Sequence, residues 1–438
     1  MRLDRTRANR RRRSTVQLLV GCLLFLQPAL FAQSDEHWVG TWATAVVAQV
    51  EIQGVPESQG PSFANQTLRQ IVHVSLGGER VRVVLSNAFG TMPLEIGAAQ
   101  IARRAENAAI DGESRRALTF SGQASTTIPA GAVIFSDPVA LTVPALSDLA
   151  IDLYLPGDTA ATGSPLTTHS GAFQTNYLST IGNHTGANEL PVDTTLPSWF
   201  FLSRVEVVAD EGVSAVVLLG DSITDGTNST SDTNNRWPDH LARRLNAANV
   251  QMGVLNLGIA GNRVLNDGAG VSALARFDRA VLAQSGATHV IVLEGINDLG
   301  LARNQLGMPR SETPPTAADI IAGYQQLIAR ARAHGLTVYG ATLTPFEGTA
   351  IPIIPDYWTA EGDVTRQAVN DWIRTGGAYD AVIDFDAVVR DPASPMKFLP
   401  EFDSGDHLHP SDTGYEAMAG AVDLELLEAG ERHTAAAR

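Results

Sequence analysis

Residues Ala215–Gly226 read AVVLLGDSITDG, a run of five apolar side chains followed by a polar turn. A continuous apolar run of this length is typical of a strand that is buried on both faces, as in a parallel sheet. The Gly-Asp-Ser that follows then lies beyond the carboxyl end of the strand. Because ligands of open parallel sheets bind at this edge, the segment predicts both the local fold and the place of a functional site.

Apolar runs and helical patterns alternate through the rest of the chain after this segment. We predict strands at Gly253–Leu257, His289–Leu293, Leu336–Leu343 and Ala381–Phe385, and helices at Trp237–Ala248, Val271–Ala283, Ala317–His334, Gly362–Arg374 and Ser411–Leu427. Such alternation indicates crossover connections. We therefore predict an α/β domain at residues 213–430, with a parallel sheet that helices cover on both faces.

The part of the chain before Ala215 has a different pattern, in which short apolar alternations are separated by Gly, Pro, Asn and Asp. Strand-like segments lie at Thr67–Ser75, Arg80–Ser86, Ala132–Ser136, Val139–Val143 and Leu149–Leu155. No helical period of convincing length accompanies them. We predict a β-sandwich of jelly-roll type at residues 36–210, with the boundary near Asp210-Glu211-Gly212.

The first 32 residues are typical of a secretory signal peptide. Met1–Arg13 contains seven arginines and one acidic residue, and an apolar run from Val16 to Phe31 ends before Ala32. This pattern predicts removal of residues 1–32 and a secreted or periplasmic location, without stable membrane insertion afterwards. An uncleaved anchor is the alternative. Leu19–Cys22 also resembles a lipoprotein box, but most of the apolar run follows the cysteine, which argues against lipid attachment.

Charge and cysteine content exclude several functions. The chain has 31 basic and 47 acidic residues, a formal net charge of −16, and removal of the arginine-rich leader would make it more negative. An acidic protein is repelled by phosphate backbones, so nucleic acid is not an expected partner. Cys22 is the single cysteine and belongs to the predicted leader, so neither a disulfide nor a cysteine nucleophile is expected in the mature chain.

Chemistry-bearing residues follow the predicted strands in three places. Ser222 follows the first strand, Gly261 follows the second, and Asn297 follows the third. A serine hydroxyl at a strand-to-helix turn can act as a nucleophile, a glycine lets a backbone N–H approach a ligand, and an asparagine amide can donate to a developing oxyanion. Each of these residues alone is equally typical of a plain turn or helix cap.

A fourth group, Asp406-His407-Leu408-His409, precedes the last predicted helix. An acid and a histidine three residues apart can share one turn of backbone, so that Asp406 orients the ring of His409 and the other ring nitrogen takes a proton from serine. The side chain of His407 should point away from that pair if the backbone is extended. A metal site formed by Asp406, His407 and His409 is the alternative.

Together, Gly220-Asp221-Ser222, Gly261, Gly295-x-Asn297-Asp298 and Asp406-x-x-His409 resemble, in order and approximate spacing, the four sequence blocks of the SGNH hydrolases, also called GDSL esterases. The resemblance covers about Ala215–Leu427 and implies a flavodoxin-like sheet. It implies Ser222, Asp406 and His409 as the catalytic triad, and Ser222, Gly261 and Asn297 as oxyanion-hole donors, with no metal or other cofactor. Trp38–Ala43 and Val81–Gly90 are similar to segments that precede the hydrolase domain in two-domain bacterial members.

The resemblance implies a serine ester hydrolase that works through an acyl-enzyme, and leaves its substrate open. We expect a small-molecule or polysaccharide ester, with an acetyl or aroyl group on a carbohydrate favoured. A lipase or lysophospholipase, an acyltransferase and an inactive carbohydrate-binding relative are the alternatives. The loops Arg303–Pro315 and Pro345–Tyr357 are expected to shape the substrate cleft. Trp38, Trp42 and Phe89 fit either a sugar-binding platform or plain core.

Overall fold

The computed structural model describes residues 36–49, 60–302, 313–349, 351, 354 and 356–428. The predicted signal peptide, with Cys22, lies outside the described residues, as does most of the loop Arg303–Pro315. From His37 onward the chain forms one compact unit. The division into domains at 36–210 and 213–430 stays a prediction.

The N-terminal region consists of strands joined in antiparallel sheets. The strands are β1 (Trp38–Ala43), β2 (Val47–Ala48), β3 (Gln66–Val74), β4 (Gly78–Ser86), β5 (Leu94–Ile96), β6 (Ala98–Arg103), β7 (Arg116–Leu118), β8 (Thr126–Ile128), β9 (Val133–Phe135), β10 (Val139–Val143), β11 (Ser147–Leu155), β12 (Thr167–Ser170), β13 (Asn176–Ile181), β14 (Val192–Leu196), β15 (Ser198–Phe200) and β16 (Leu202–Val208). One sheet has the order β1-β16-β4-β10 with β9 also on β4, a second has the order β14-β13-β3-β11-β6-β7, and a third has the order β15-β12-β2.

After β16 the chain changes to a parallel sheet of five strands. These are β17 (Ser214–Gly220), β18 (Met252–Gly258), β19 (Ala287–Leu293), β20 (Thr337–Ala341) and β21 (Ala381–Ile383), in the order β18-β17-β19-β20-β21. The strands are rich in Val, Ile and Leu because both faces are covered, and Val216–Leu219 are fully buried. A short antiparallel hairpin of β22 (Arg390–Asp391) and β23 (Ser394–Phe398) follows the sheet. The predicted fold class is confirmed: a flavodoxin-like parallel sheet with helices follows a strand-rich region of antiparallel sheets, where the sequence predicted a jelly-roll-like β-sandwich.

Helices connect and cover the strands of the parallel sheet. They are α1 (Ser222–Asp225), α2 (Trp237–Ala247), α3 (Ala273–Phe277), α4 (Ile296–Gly300), α5 (Ala317–Ala333), α6 (Ala360–Thr375), α7 (Phe385–Val389), α8 (Asp412–Gly420) and α9 (Glu425–Glu428). A π-helical turn continues α3 over Asp278–Leu282. Short 3₁₀ turns lie at Ala160–Thr162 and Pro400–Phe402.

Most predicted boundaries differ from the structure by one or two residues, and three of the differences have a local cause. The last helix is interrupted between α8 and α9, although Ser411 caps it as expected by accepting from the N–H of Gly414. The predicted strand Ala381–Phe385 ends at Ile383, because Asp384 caps α7 by accepting from Ala387 N–H. Helix α3 is shorter than the predicted Val271–Ala283, since the π-helical turn takes over its second half.

The N-terminal region packs directly against the parallel sheet. Gly40 of β1 donates its N–H to the carbonyl of Ser285 at 2.9 Å, and the N–H of Val254 in β18 donates to Ser75 Oγ at 2.9 Å. The approach is close enough that a Cβ on Gly253 would lie 2.0 Å from the carbonyl oxygen of Gly40. One continuous hydrophobic core therefore extends through both regions.

Candidate active site

Ser222 is the first residue of α1, directly beyond the carboxyl end of β17. The one-turn helix begins there because Asp221, in an extended conformation, caps it by accepting from Ile223 N–H at 3.0 Å. Asp221 and Ser222 are 1% and 5% exposed. The turn thus holds the Ser222 hydroxyl at the sheet edge where the sequence predicted it.

The loop before α8 brings His409 onto this hydroxyl. The Nδ1–H of His409 donates to Asp406 Oδ2 at 2.6 Å, which leaves Nε2 to accept from the Ser222 hydroxyl at 2.8 Å. The acid fixes this tautomer because a carboxylate only accepts. His409 is 7% exposed, and the residues joined by the Nε2 contact are 187 positions apart in sequence. Ser222, His409 and Asp406 form one hydrogen-bonded chain.

The surroundings of Asp406 favour its ionised form. Burial alone would raise the pKa of Asp406, but the hydrogen bond and charge of His409, with the N–H groups of Leu408 and His409, hold that pKa well below its usual value. Asn228, which sequence reasoning missed, also donates to Asp406 Oδ2 at 2.9 Å. The carboxylate is therefore held from several sides.

Asn297 lies in the first turn of α4, just beyond β19, and its amide is oriented by Tyr357. The Tyr357 hydroxyl donates to Asn297 Oδ1 at 2.8 Å, and the two residues are 2% and 3% exposed. In this orientation the amide oxygen of Asn297 faces Tyr357. Its Nδ2 is buried and donates to no group among the described residues. A buried unpaired donor costs free energy, and it is what an oxyanion site requires.

The electrostatic environment of Tyr357 includes carboxylates of the candidate active site. Burial raises the pKa of Tyr357 well above its usual value, and the charges of Asp221, Asp298 and Asp406 raise it further. The aromatic ring also packs edge-on against Phe346 at 6.2 Å. Tyr357 and Phe346 belong to the loop that was predicted to shape the cleft, and one of them reaches the candidate oxyanion donor.

Gly261 lies in the turn after β18, the strand next to β17. Its φ of 77° is in the left-handed region that favours glycine. The turn is tied to the end of β17 through the N–H of Ile259, which donates to the Gly220 carbonyl at 3.0 Å. The predicted glycine is therefore at the same sheet edge as Ser222, in a turn that needs it.

A buried cluster of carboxylates lies beneath the site. Burial raises the pKa of Asp221 to about 7 and that of Asp298 to about 6. Burial, with the charge of Asp221, also raises the pKa of Glu294 well above its usual value. Arg276 links this cluster to the backbone by donating to the carbonyls of Gly220 at 2.9 Å and Leu257 at 2.7 Å. It thus joins the ends of β17 and β18.

His407 does not share the site with His409. Its ring nitrogen Nδ1 pairs with Asp403, and half of its side chain is exposed. Its backbone is not extended, since its φ of 61° is left-handed. In the part of the chain that the structure describes, no group of three His, Cys, Asp or Glu side chains is arranged to hold a metal ion.

The aromatic residues Trp38, Trp42 and Phe89 all pack against neighbouring side chains. Trp42 is core, 7% exposed and edge-on to Trp199 at 5.0 Å. Guanidinium groups cover the other two rings, with Arg82 4.2 Å from the Trp38 centroid and Arg279 4.8 Å from that of Phe89. These contacts favour a packing role.

Among the described residues, no helix combines the length and apolar character needed to cross a bilayer.

Comparisons with known proteins identify a family for part of the chain. Residues 216–422 match the family model described as GDSL-like lipase/acylhydrolase, and this part of the chain is a domain of that family. A search of curated proteins gave no significant match.

Similar solved structures include three esterases or lipases. A GDSL-like lipase from Bacteroides thetaiotaomicron is 17% identical, with a TM-score of 0.36, over 49% of this chain and 89% of that one. An inhibitor-bound aryl esterase from M. smegmatis is 15% identical, with a TM-score of 0.38, over 49% and 98%. A catalytic mutant of an acetylxylan esterase from Geobacillus stearothermophilus is 20% identical, with a TM-score of 0.36, over 48% and 91%.

Proposed function

We propose that the protein is a carboxylic ester hydrolase in which Ser222 is the nucleophile, His409 the general base and Asp406 the residue that orients the base. The observation that carries the proposal is the continuous chain of hydrogen bonds, 2.8 Å from Ser222 Oγ to His409 Nε2 and 2.6 Å from His409 Nδ1 to Asp406. Such a chain converts a weakly nucleophilic hydroxyl into an effective one.

In the first half of the reaction, Ser222 Oγ attacks the ester carbonyl while its proton passes to His409 Nε2. The tetrahedral intermediate then collapses, His409 gives the proton to the leaving alcohol, and an acyl-enzyme remains on Ser222. In the second half, water gives a proton to His409 and attacks the acyl carbon. Return of that proton to Ser222 Oγ releases the carboxylic acid and restores the enzyme.

The oxyanion of each tetrahedral intermediate needs donors that are already in place. We propose that the backbone N–H groups of Ser222 and Gly261 and the amide Nδ2 of Asn297 supply them. The unpaired state of that amide in the described structure supports this role. Because Tyr357 holds the amide oxygen, the donor needs no reorientation when charge develops.

The preferred substrate we propose is a neutral carbohydrate ester that carries a small acetyl or aroyl group. The near-complete burial of Ser222 and His409 supports a small acyl group, and the net charge of −16 supports a neutral substrate. We also propose that the protein acts outside the cytoplasm, on the strength of the predicted leader. A lipase, a lysophospholipase and an acyltransferase are the alternatives with the same nucleophile.

A substrate panel tests this function. Purified protein and its Ser222→Ala variant are given a chromogenic acetate ester, acetylated xylan, a feruloyl ester and a lysophospholipid, and free acid is measured. Serine-dependent release from the acetate and the carbohydrate esters is expected. Turnover of the lysophospholipid alone would favour a lipase, and ester formation with an added alcohol would favour an acyltransferase. No serine-dependent turnover of any ester would contradict the proposal and favour an inactive binding relative.

A further inference from the structure

A histidine of the N-terminal region contacts the helix that carries Ser222. His169 lies in β12, 56 residues before Asp225, the last residue of α1. Its Nε2 is 2.9 Å from Asp225 Oδ1, and the two side chains are 3% and 5% exposed. No sequence pattern predicts this contact, because His169 lies outside the four catalytic blocks and no motif links it to Asp225.

Both nitrogens of the His169 ring face acceptors. Nε2 faces the carboxylate of Asp225, and Nδ1 lies 2.8 Å from the carbonyl oxygen of Ala45. A carbonyl can only accept, so Nδ1 carries a proton, and a carboxylate also needs a donor. The geometry therefore fits a ring that donates from both nitrogens, to the Ala45 carbonyl and to the Asp225 side chain. Burial alone would lower the pKa of His169, but the charge of Asp225 and both hydrogen bonds raise it above the usual value.

Within the N-terminal region, aromatic packing and strand pairing hold His169 of this ion pair in place. The ring of His169 lies against Trp199 with centroids 5.6 Å apart, and Trp199 in turn packs edge-on against Trp42. The backbone of β12 is also paired with β15. Asp225 is therefore attached to a fixed point of the antiparallel core rather than to a mobile loop.

The residues after α1 form hydrogen bonds with the same part of the N-terminal region. Asp232 accepts from Gln174 Nε2 at 2.6 Å and from the hydroxyl of Thr175 at 2.6 Å. Arg236 donates to the carbonyl of Ala172. Residues 169–175 thus contact the segment 225–236 at several points, and this segment begins where the nucleophile helix ends.

We propose that His169 is a positioning residue that holds α1, and with it the hydroxyl of Ser222, through Asp225. A helix of one turn has too few internal hydrogen bonds to fix its own position, so its anchors decide where Ser222 Oγ lies. Among the described groups, His169 is the hydrogen-bond donor to the Asp225 side chain. The N-terminal region is then a working part of the active site. This inference rests on the proposed function of Ser222.

Rates of phosphonylation by a serine-directed phosphonate, together with kcat and KM for an acetate ester, test the inference in the full-length protein. His169→Phe keeps a flat ring but removes both donors, and His169→Gln keeps one neutral donor. Misplacement of a reacting group by about 1 Å costs up to about 10²-fold in rate. We expect His169→Phe to lower kcat and the phosphonylation rate about tenfold or more with KM nearly unchanged, and His169→Gln to recover part of the loss.

Asp225→Asn approaches the same pair from the other side and should produce a similar loss. In the double variant His169→Phe/Asp225→Asn the losses should not add, because both changes break one interaction. The matched control is His73→Gln, which removes a histidine that pairs with Asp148 inside the N-terminal region, 2.7 Å away. This control should keep the wild-type rate.

The outcomes separate the two proposals. Wild-type protein that is not phosphonylated would contradict the function proposed for Ser222. Wild-type protein that reacts, with Asp225→Asn and His169→Gln or His169→Phe reacting just as fast, would overturn the positioning role alone. An equal loss in His73→Gln would also overturn it, because the effect would then be general. If His169→Phe shows no cooperative thermal transition, the comparison of Asp225→Asn with His73→Gln decides.

Discussion

At the scale of single residues, the two histidines of the segment before α8 have different partners although they are two positions apart. His409 joins Ser222 to Asp406, whereas His407 pairs with Asp403 and is half exposed. The left-handed backbone of His407 turns its ring out of line with that of His409. Because the two histidines have different partners, we expect their substitution to have different effects on activity.

His409→Ala should lower kcat by about 10³-fold or more, because serine then has no base. His407→Ala should change kcat by no more than a few-fold, and it serves as the matched control. Steady-state kinetics on one chromogenic ester measures both. A severe loss in His407→Ala with a mild loss in His409→Ala would show that the wrong ring was assigned as base.

Tyr357→Phe removes the hydroxyl that orients Asn297 and leaves the ring in place. We expect kcat to fall by about tenfold, less than the about 10²–10³-fold typical of losing an oxyanion donor outright, with KM little changed. In the background of Asn297→Ala the same change should have almost no effect, since the amide that Tyr357 orients is gone. Additive losses in this double-mutant cycle would contradict the orienting role.

The candidate triad could be predicted from the sequence because its residues stand in blocks with recognisable spacing. Tyr357 could be placed only in a loop expected to shape the cleft, and Asn228 and His169 were not found at all. Tyr357 contacts Asn297, 60 positions away in sequence, and Asn228 contacts Asp406, 178 positions away. His169 contacts Asp225, 56 positions away. No local pattern specifies such pairs, because they arise only when distant elements pack together.

At the scale of elements, α1 fits against the end of β18 only because glycine occupies position 258. A Cβ there would lie 2.3 Å from the backbone nitrogen of Asp225, which is closer than real contacts allow. The periodicity of the sequence predicted the strands and long helices well, since apolar runs and 3.6-residue patterns are local. It missed the break between α8 and α9 and the hairpin of β22 and β23, whose short segments carry little pattern.

Gly258→Ala should displace α1 and lower both stability and turnover. Overpacking of this kind costs about 1–3 kcal/mol, which urea unfolding measures, and kcat should fall with it. Gly420→Ala is the matched control, because a Cβ at the end of α8 meets no atom within 4 Å. The control should be neutral or up to about 1 kcal/mol more stable. Equal behaviour of the two variants would contradict the close fit of α1.

At the scale of the whole molecule, the antiparallel and parallel regions share one core, although their sequences change pattern near residue 210. That change predicted the switch of architecture, and β16 and β17 do end and begin on either side of it. The contact between the regions could not be predicted, because it depends on surfaces such as Gly40 against Gly253. The acidic charge is the other property of the whole molecule with functional consequences.

The net charge of −16 should make turnover of anionic esters depend on salt. As ionic strength rises from about 0.01 M to about 1 M, the reach of charges falls from about 30 Å to about 3 Å. We expect kcat/KM for a negatively charged ester to rise several-fold over this range, while that for a neutral acetate ester of the same alcohol stays nearly constant. An identical salt response of the two esters would show that global charge does not select the substrate.

The role of Ser222 as nucleophile is tested by locating the covalent adduct formed with a serine-directed phosphonate. Digestion and mass spectrometry should find one phosphonyl group on the peptide that contains Ser222, none in the Ser222→Ala variant, and much slower labelling in His409→Ala. An adduct on another serine, or wild-type protein that stays unlabelled while the reagent is active on a control esterase, would contradict the role proposed for Ser222.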